Sequence, residues 1–328
     1  MVEVVVIGAG PAGLAAALTL GRSRRQTVVL DAGQGRNAQA DAVHGFLSRD
    51  GTAPEELRRA ARDELAAYPD VELRDTAVLA ATAEPDGFRV TLSDATELTA
   101  GRLLLATGVV DELPAIEGLA PLWGRSALHC FYCHGWEVRD QPLAILALRR
   151  VDLAFAVHLK RWSADITLCS NGRPDFELGE DERGLLAQFG IGLREEPIAQ
   201  LDGHDGILER IVFQSGESLP RRAVFLHPPA RQRSPLPAQL GCGLLDDGIV
   251  AINEFGQTSV AGVYAAGDMA RRASQSLRGQ QVTLAAAAGQ LAAIALDREL
   301  ALSAAVSQAT GPAQRAVAPL AARLLTPA

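Results

Sequence analysis

Cys130-Phe131-Tyr132-Cys133 sets two thiols at a spacing that closes a small disulfide ring, and such a pair can shuttle two electrons. His129 and His134 flank it directly, each able to take a thiol proton near neutral pH. The string is His-Cys-x-x-Cys-His. A zinc site is the competing use of these residues. It would need two further ligands at comparable spacing, whereas the remaining cysteines, Cys169 and Cys242, are isolated and lack a paired histidine. Those two read as buried small hydrophobes. Either histidine can equally be an ordinary hydrogen-bonded neighbour of the thiols.

A second constellation stands at the N-terminus. Gly8-Ala9-Gly10-Pro11-Ala12-Gly13 follows the β-branched run Val4-Val5-Val6-Ile7 and precedes a helical pattern over residues 14–20. The glycines allow a tight turn, a close approach of backbone to a pyrophosphate and helix-against-sheet packing, with the helix N-terminus facing the phosphates. A second buried-type strand, Thr27-Val28-Val29-Leu30, ends at Asp31, where a carboxylate can accept hydrogen bonds from an adenosine ribose. Strand, fingerprint, helix, strand and terminal acid in that order predict a dinucleotide site, without choosing between FAD and NAD.

These sites need elements to position them. The 328 residues suggest two domains. A helix is predicted over residues 54–67, strands near 71–73, 88–92 and 98–105, and a crossover into a second domain near 112–118. The second domain repeats the first in outline, with a strand at 143–146, a helix over 151–162 and a strand at 165–169. The chain crosses back near 238–242, and a strand at 263–265 and a long Ala-rich helix over 280–300 return to the first domain. The fold class is therefore α/β, two Rossmann-like βαβ nucleotide-binding domains, the second inserted into the first. The discontinuous domain is 1–113 and 242–328, and the inserted one is 114–241.

Composition narrows the partners. Thirty-one Lys and Arg against 39 Asp and Glu give a net charge of −8, which works against binding a phosphate backbone, so nucleic acid is not expected. The longest apolar stretch, 282–296, falls short of the ~20 residues a membrane helix needs. The N-terminus enters a strand at once without a signal-peptide pattern, and four cysteines are too few for a disulfide framework, so the chain reads as cytoplasmic.

Leu105-Ala106-Thr107-Gly108, Ala265-Ala266-Gly267-Asp268 and the later Gln280, Gln281 and Val282 resemble segments of the FAD domain of the low-molecular-weight thioredoxin reductase family. The resemblance runs from Val4 to about Leu300. It implies FAD as cofactor and a homodimer. By it, Asp268 binds the ribityl or pyrophosphate part of FAD, Gln281 and Val282 approach the isoalloxazine, and Arg36 and Asn37 flank the adenosine. Thr107, Gly108, Gly267 and Gln280 belong to the same cofactor set. The resemblance also makes Cys133 the thiol next to the flavin and Cys130 the one that exchanges with substrate. The family's reductases usually carry Asp after the second cysteine. His134 in that place resembles a branch of dithiol oxidases that close disulfides in natural products of the gliotoxin and holomycin kind.

The second domain lacks its own fingerprint. After Leu143-Ala144-Ile145-Leu146 the turn reads Ala147-Leu148-Arg149-Arg150-Val151-Asp152, with no glycine. Arg149 would fill the approach path of a pyrophosphate and Asp152 would repel its charge. The next strand ends in Cys169-Ser170-Asn171, without the basic cluster that the family's reductases use for a 2′-phosphate. The leading expectation is an FAD-dependent oxidase acting on a small-molecule dithiol, with dioxygen as acceptor. A thioredoxin-reductase-like disulfide reductase fed by NADPH or a protein donor is the alternative. A flavoprotein reduced to a redox-sensing or binding module is a third.

Overall fold

The computed structural model describes residues 1–173, 176–275 and 279–308. Its first strand, β1 (Val2–Ile7), is the β-branched run, buried from Val4 onward as a central parallel strand must be. Pro11 opens α1 (Pro11–Arg22) at a position where its missing N–H costs nothing. The chain returns through β2 (Thr27–Leu30), parallel to β1 with Val5 opposite Val28 and Ile7 opposite Leu30. After α2 (Pro54–Leu65), β3 (Val71–Arg74) adds parallel to β2. An antiparallel hairpin, β4 (Val78–Glu84) and β5 (Gly87–Leu92), joins the N-terminal half of β6 (Glu97–Leu105), whose other flank pairs parallel with β1. The chain leaves through β7 (Val109–Asp111).

The inserted unit holds α3 (Leu119–Leu122), β8 (Ala127–Leu128), α4 (Phe131–His134), β9 (Leu143–Leu146), α5 (Asp152–Leu159), β10 (Ile166–Cys169), α6 (Glu180–Gln188) and β11 (Ile191–Arg194). A meander follows, β12 (Ile198–His204), β13 (Ile207–Phe213) and β14 (Ser218–Pro220), and then β15 (Ala223–Phe225). The strand order β11-β10-β9-β15-β8 is parallel throughout. Alternation along β9 serves two cores: Leu143 and Ile145 pack with α5 and α6 residues such as Ala156 and Leu186, while Ala144 and Leu146 pack with the meander.

Return is through β16 (Ala230–Gln232), then α7 (Leu236–Gln239), β17 (Val250–Ala251), β18 (Val263–Ala265), β19 (Ala270–Arg271) and α8 (Val282–Gln308). Here β18 pairs parallel with Leu103, Leu104 and Leu105 of β6, completing the order β3-β2-β1-β6-β18 of a nucleotide-binding sheet. The core beneath it gathers Val4, Val6, Ala16, Leu20 and Leu104 with Ala292, Ala293 and Leu296 of α8.

The molecule thus has two Rossmann-like units, one inserted in the other. The first comprises Met1–Arg36, Glu55–Val110 and the chain from Arg231, and the second comprises Asn37–Pro54 and Asp111–Ala230. This partition departs from the sequence-based boundaries of 1–113, 242–328 and 114–241. The return lies at 230/231, and residues 37–54 join the second unit because their side chains are tied there. Arg125 pairs with Asp41 at 2.6 Å, and His44 lies 3.5 Å from Glu137. The long helix runs past the predicted 280–300 to Gln308, and the rest of the tail, 309–328, lies outside the described residues. Among the described residues no helix is long and apolar enough to cross a membrane.

Candidate active site

In the first unit the glycines perform separate steric tasks. Gly8 has φ +105°, and a Cβ there would stand 2.4 Å from the Ala106 carbonyl oxygen. A Cβ on Gly13 would lie 1.8 Å from the Gly8 carbonyl oxygen, so only glycine lets α1 start this close to β1. Gly10, by contrast, faces open space, and as N-cap of α1 it makes no side-chain cap hydrogen bond. Asp31 closes the unit at the end of β2, accepting from the Ala9 amide at 3.3 Å, with Arg62 of α2 at 3.5 Å from its other oxygen. Arg62 was not singled out in the sequence; it carried no motif signal and reaches Asp31 only through the fold.

Distant cofactor candidates lie in the same unit, and one of them reaches this turn. Gly267, at φ +79°, abuts Ala12, where a Cβ would come within 2.9 Å of the alanine methyl. Arg36 donates to Asp268 at 2.9 Å, and the Thr107 amide and hydroxyl both lie 3.2 Å from the Met269 sulfur. Gly108 takes φ +68°, and its carbonyl accepts from the Arg233 amide. The Gln281 carbonyl accepts the first backbone hydrogen bond of α8, from the Ala285 amide, and Val282 is the first helical residue. The Gln280 Nε2 is buried with no hydrogen-bond partner, a donor of the kind a bound cofactor satisfies. Asn37 alone falls in the second unit.

In the second unit Cys130 and Cys133 are joined as a disulfide. Cys130 stands as N-cap of the single turn α4, and the Cys133 amide donates to its Sγ at 3.1 Å. The turn is anchored by Phe131, buried against Phe155, Trp162 and Phe225. The cysteines are thus held on an aromatic base, and both residues remain partly exposed. Trp123 lies beside His129, ring centroids 5.9 Å apart. Both ring nitrogens of His134 are buried without a hydrogen-bond partner. Its pKa is lowered, first by burial and then by the neighbouring His44, against which Glu137 and Asp41 act only in part. His44 is a site residue that the sequence reading passed over. Its rings meet those of His134 edge-on at 6.1 Å, yet it lies ninety residues away in a loop without a motif.

The other two cysteines are as expected. Burial pushes the Cys169 thiol up to about 12 and also raises that of Cys242.

The turn after β9 is closed from within. Asp152, fully buried at the start of α5, accepts from the Leu148 and Arg149 amides at 2.8 Å each through one carboxylate oxygen. Its other oxygen lies 3.4 Å from His227 Nδ1, whose ring stacks on Phe155 at 4.2 Å. The Arg149 side chain is half exposed, 3.9 Å from the same carboxylate, so the carboxylate and not the arginine fills the turn.

A model of the pyridine nucleotide-disulphide oxidoreductase family matches residues 2–291. The chain belongs to this family. This oxidoreductase is 34% identical over 282 residues to thioredoxin reductase tcpT of Claviceps purpurea, spanning 82% of the present chain and 86% of that one. It is 33% identical over 285 residues to thioredoxin reductase sirT of Leptosphaeria maculans, with the same shares. Among solved structures, HlmI superposes with TM-score 0.85 at 36% identity over 97% of both chains. An oxidoreductase from Agrobacterium tumefaciens gives 0.85 at 34%, over 92% of this chain and 98% of that one. FAD is the cofactor of such thioredoxin-reductase-like oxidoreductases, and the open Gly10 turn and the unpartnered Gln280 amide are compatible with it.

Proposed function

We propose that the protein is an FAD-dependent dithiol oxidase that closes a disulfide in a small-molecule dithiol. The observation that carries this reading is the Asp152 carboxylate on the Leu148 and Arg149 amides, because those are the donors a pyridine nucleotide's pyrophosphate would need. An internal anion on them leaves NADPH neither the hydrogen bonds nor the favourable charge. Electrons then enter from thiols. His134 in place of the usual Asp, and the likeness to HlmI, support the same direction.

In the proposed cycle His134, neutral by virtue of its burial, takes the proton of one substrate thiol. The thiolate attacks Cys130 Sγ, breaking the Cys130–Cys133 bond and releasing the Cys133 thiolate. The second substrate thiol, its proton passing to solvent, attacks as thiolate the substrate sulfur of the mixed disulfide. That step forms the product disulfide and expels Cys130 as a thiolate, which the Cys133 amide is placed to stabilise. The enzyme pair is left reduced by two electrons. Bound FAD would supply the two-electron acceptor for this pair, with dioxygen proposed as the final oxidant and hydrogen peroxide as its product. Gly8, Gly10, Pro11, Ala12, Gly13, Asp31, Arg36, Thr107, Gly108, Gly267, Asp268, Gln280, Gln281 and Val282 are proposed to hold the cofactor, and a cytoplasmic homodimer is the proposed working form.

The test is anaerobic mixing of the yellow protein with NADPH and, separately, with a small dithiol. Bleaching by the dithiol, reversed by air and abolished in Cys133→Ser, is the expected result. Bleaching by NADPH would instead support a disulfide reductase, the reading that the names of tcpT and sirT favour.

A further inference from the structure

Gln232 ends β16 and belongs to no motif. The two ends of its side-chain amide have unlike surroundings. Nε2 donates to the Gly248 carbonyl at 3.0 Å and to the Met269 carbonyl at 2.9 Å, whereas Oε1 is buried with no hydrogen-bond partner. Carbonyl oxygens accept and do not donate, so the end that faces both of them is the one that carries the hydrogens. An idle buried acceptor costs stability, and an apolar side chain would fill the same space without that cost. What Gln232 contributes is therefore its two donated bonds.

Both acceptors belong to turns of the first unit. Gly248, at φ +77°, ends a tight turn in which its amide donates to the Leu245 carbonyl at 2.8 Å. Met269 ends the single helical turn Gly267–Met269, which carries Asp268. That turn closes through the Ala270 amide on the Gly267 carbonyl, and a turn of three residues is too short to hold its shape by itself. Its anchors come from outside. Gly267 abuts Ala12, the Thr107 amide and hydroxyl meet the sulfur of the fully buried Met269, and the Gln232 amide takes the Met269 carbonyl. Past residue 270 the two segments are also joined by β17 with β19 and by Arg271 with Asp247 at 3.0 Å, so the path of the chain does not depend on Gln232. The shape of the turn before residue 270 is where its amide acts.

We propose that Gln232 is a positioning residue for the cofactor: with both amide hydrogens on the Gly248 and Met269 carbonyls, it holds the Gly267–Met269 turn, and Asp268 on it, ready for FAD before FAD arrives. This rests on the proposed assignment of Asp268 to FAD. The physical content is pre-organisation. Without the amide the turn relaxes in the empty protein and has to be rebuilt on binding, which lowers the affinity for the cofactor. A side chain that only braced the fold would act on empty and loaded protein alike, lowering stability and leaving the affinity untouched.

The experiment uses the FAD-loaded protein and three variants: Gln232→Met, which keeps the length of the side chain and donates nothing, Asp268→Asn, and the two combined. The Kd of FAD is read from the flavin fluorescence released on dilution, and Tm is read beside it. In Gln232→Met the Kd rises on the order of tenfold for the loss of two hydrogen bonds that shape the turn. In the Asp268→Asn background the same substitution raises the Kd by a smaller factor, because the two residues act through one turn. Should Gln232→Met not fold, Gln232→Asn keeps the amide but draws it back by one methylene, and the Kd moves the same way by less. A lower Tm with an unchanged Kd overturns the proposal and makes Gln232 a brace of the fold. Equal factors in the two backgrounds overturn the route through the Asp268 turn. An unchanged Kd in Asp268→Asn overturns the cofactor assignment of that residue and the proposal with it, so the two failures are told apart.

Discussion

The turn after β1 and the turn after β9 occupy the same place in two copies of one topology, and they treat an anion in opposite ways. In the first, glycine occupies every position where a side chain would intrude, and Gly10 faces open space. In the second, every glycine position carries a side chain, and a buried aspartate from the following helix accepts the turn amides on its own carboxylate. A strand-turn-helix leaves backbone donors wanting an acceptor wherever it occurs. Whether a ligand supplies that acceptor depends on whether the chain has already done so.

The comparison can be broken most severely at Gly13. Gly13→Ala puts a methyl group where the Gly8 carbonyl oxygen stands, and overpacking against backbone costs about 1–3 kcal/mol or more. The flavin content of the purified protein, read as visible absorbance against protein absorbance, should fall by about tenfold. Full flavin content would mean that the close approach is not required for binding. Asp152→Ala addresses the other turn. It strips two amides of their acceptor at a cost of about 1–3 kcal/mol, seen as a lower Tm. Inorganic pyrophosphate should restore part of that loss in the variant by binding the folded form and should leave the wild type unmoved. A wild-type Tm that rises with pyrophosphate would end the contrast. The smallest effect is at the strand ends. Asp31 accepts from the Ala9 amide, whereas β10 ends at Cys169 with no acid after it, and Asn171 spends its side-chain oxygen on the Ile198 amide. Asp31→Asn should weaken flavin retention by about 1 kcal/mol, measured as flavin released on dilution, while Asn171→Asp should confer no nucleotide binding.

The first βαβ unit, its glycines and Asp31 were legible because buried parallel strands are continuous apolar runs and the turn between them tolerates only one residue type. The redox pair was legible for a similar reason: its chemistry depends on spacing within four residues. Asp152 was read as a charge that would repel phosphate. The structure shows it as an anion that accepts the turn amides, a distinction that depends on side-chain hydrogen bonds three and four residues back and leaves no periodic mark. His44 was invisible because it is brought to His134 by a loop whose allegiance to the second unit rests on ion pairs with Arg125 and Glu137. The edge hairpin strand β4 and the β12–β14 meander carry mixed, partly exposed patterns that resemble loops as much as strands.

Gly289 of α8 stands where any Cβ would lie 1.9 Å from the Ala12 carbonyl oxygen, so the last described helix seats backbone against backbone on the first. During synthesis these two surfaces emerge more than 270 residues apart, with the whole inserted unit between them. The inserted unit can complete its own sheet early, while β1 waits for the β18 strand and the α8 helix that finish its core. Flavin capture is then one of the last events in the biogenesis of the molecule. A ribosome-stalled chain ending before α8 should already resist proteolysis in its middle while remaining colourless.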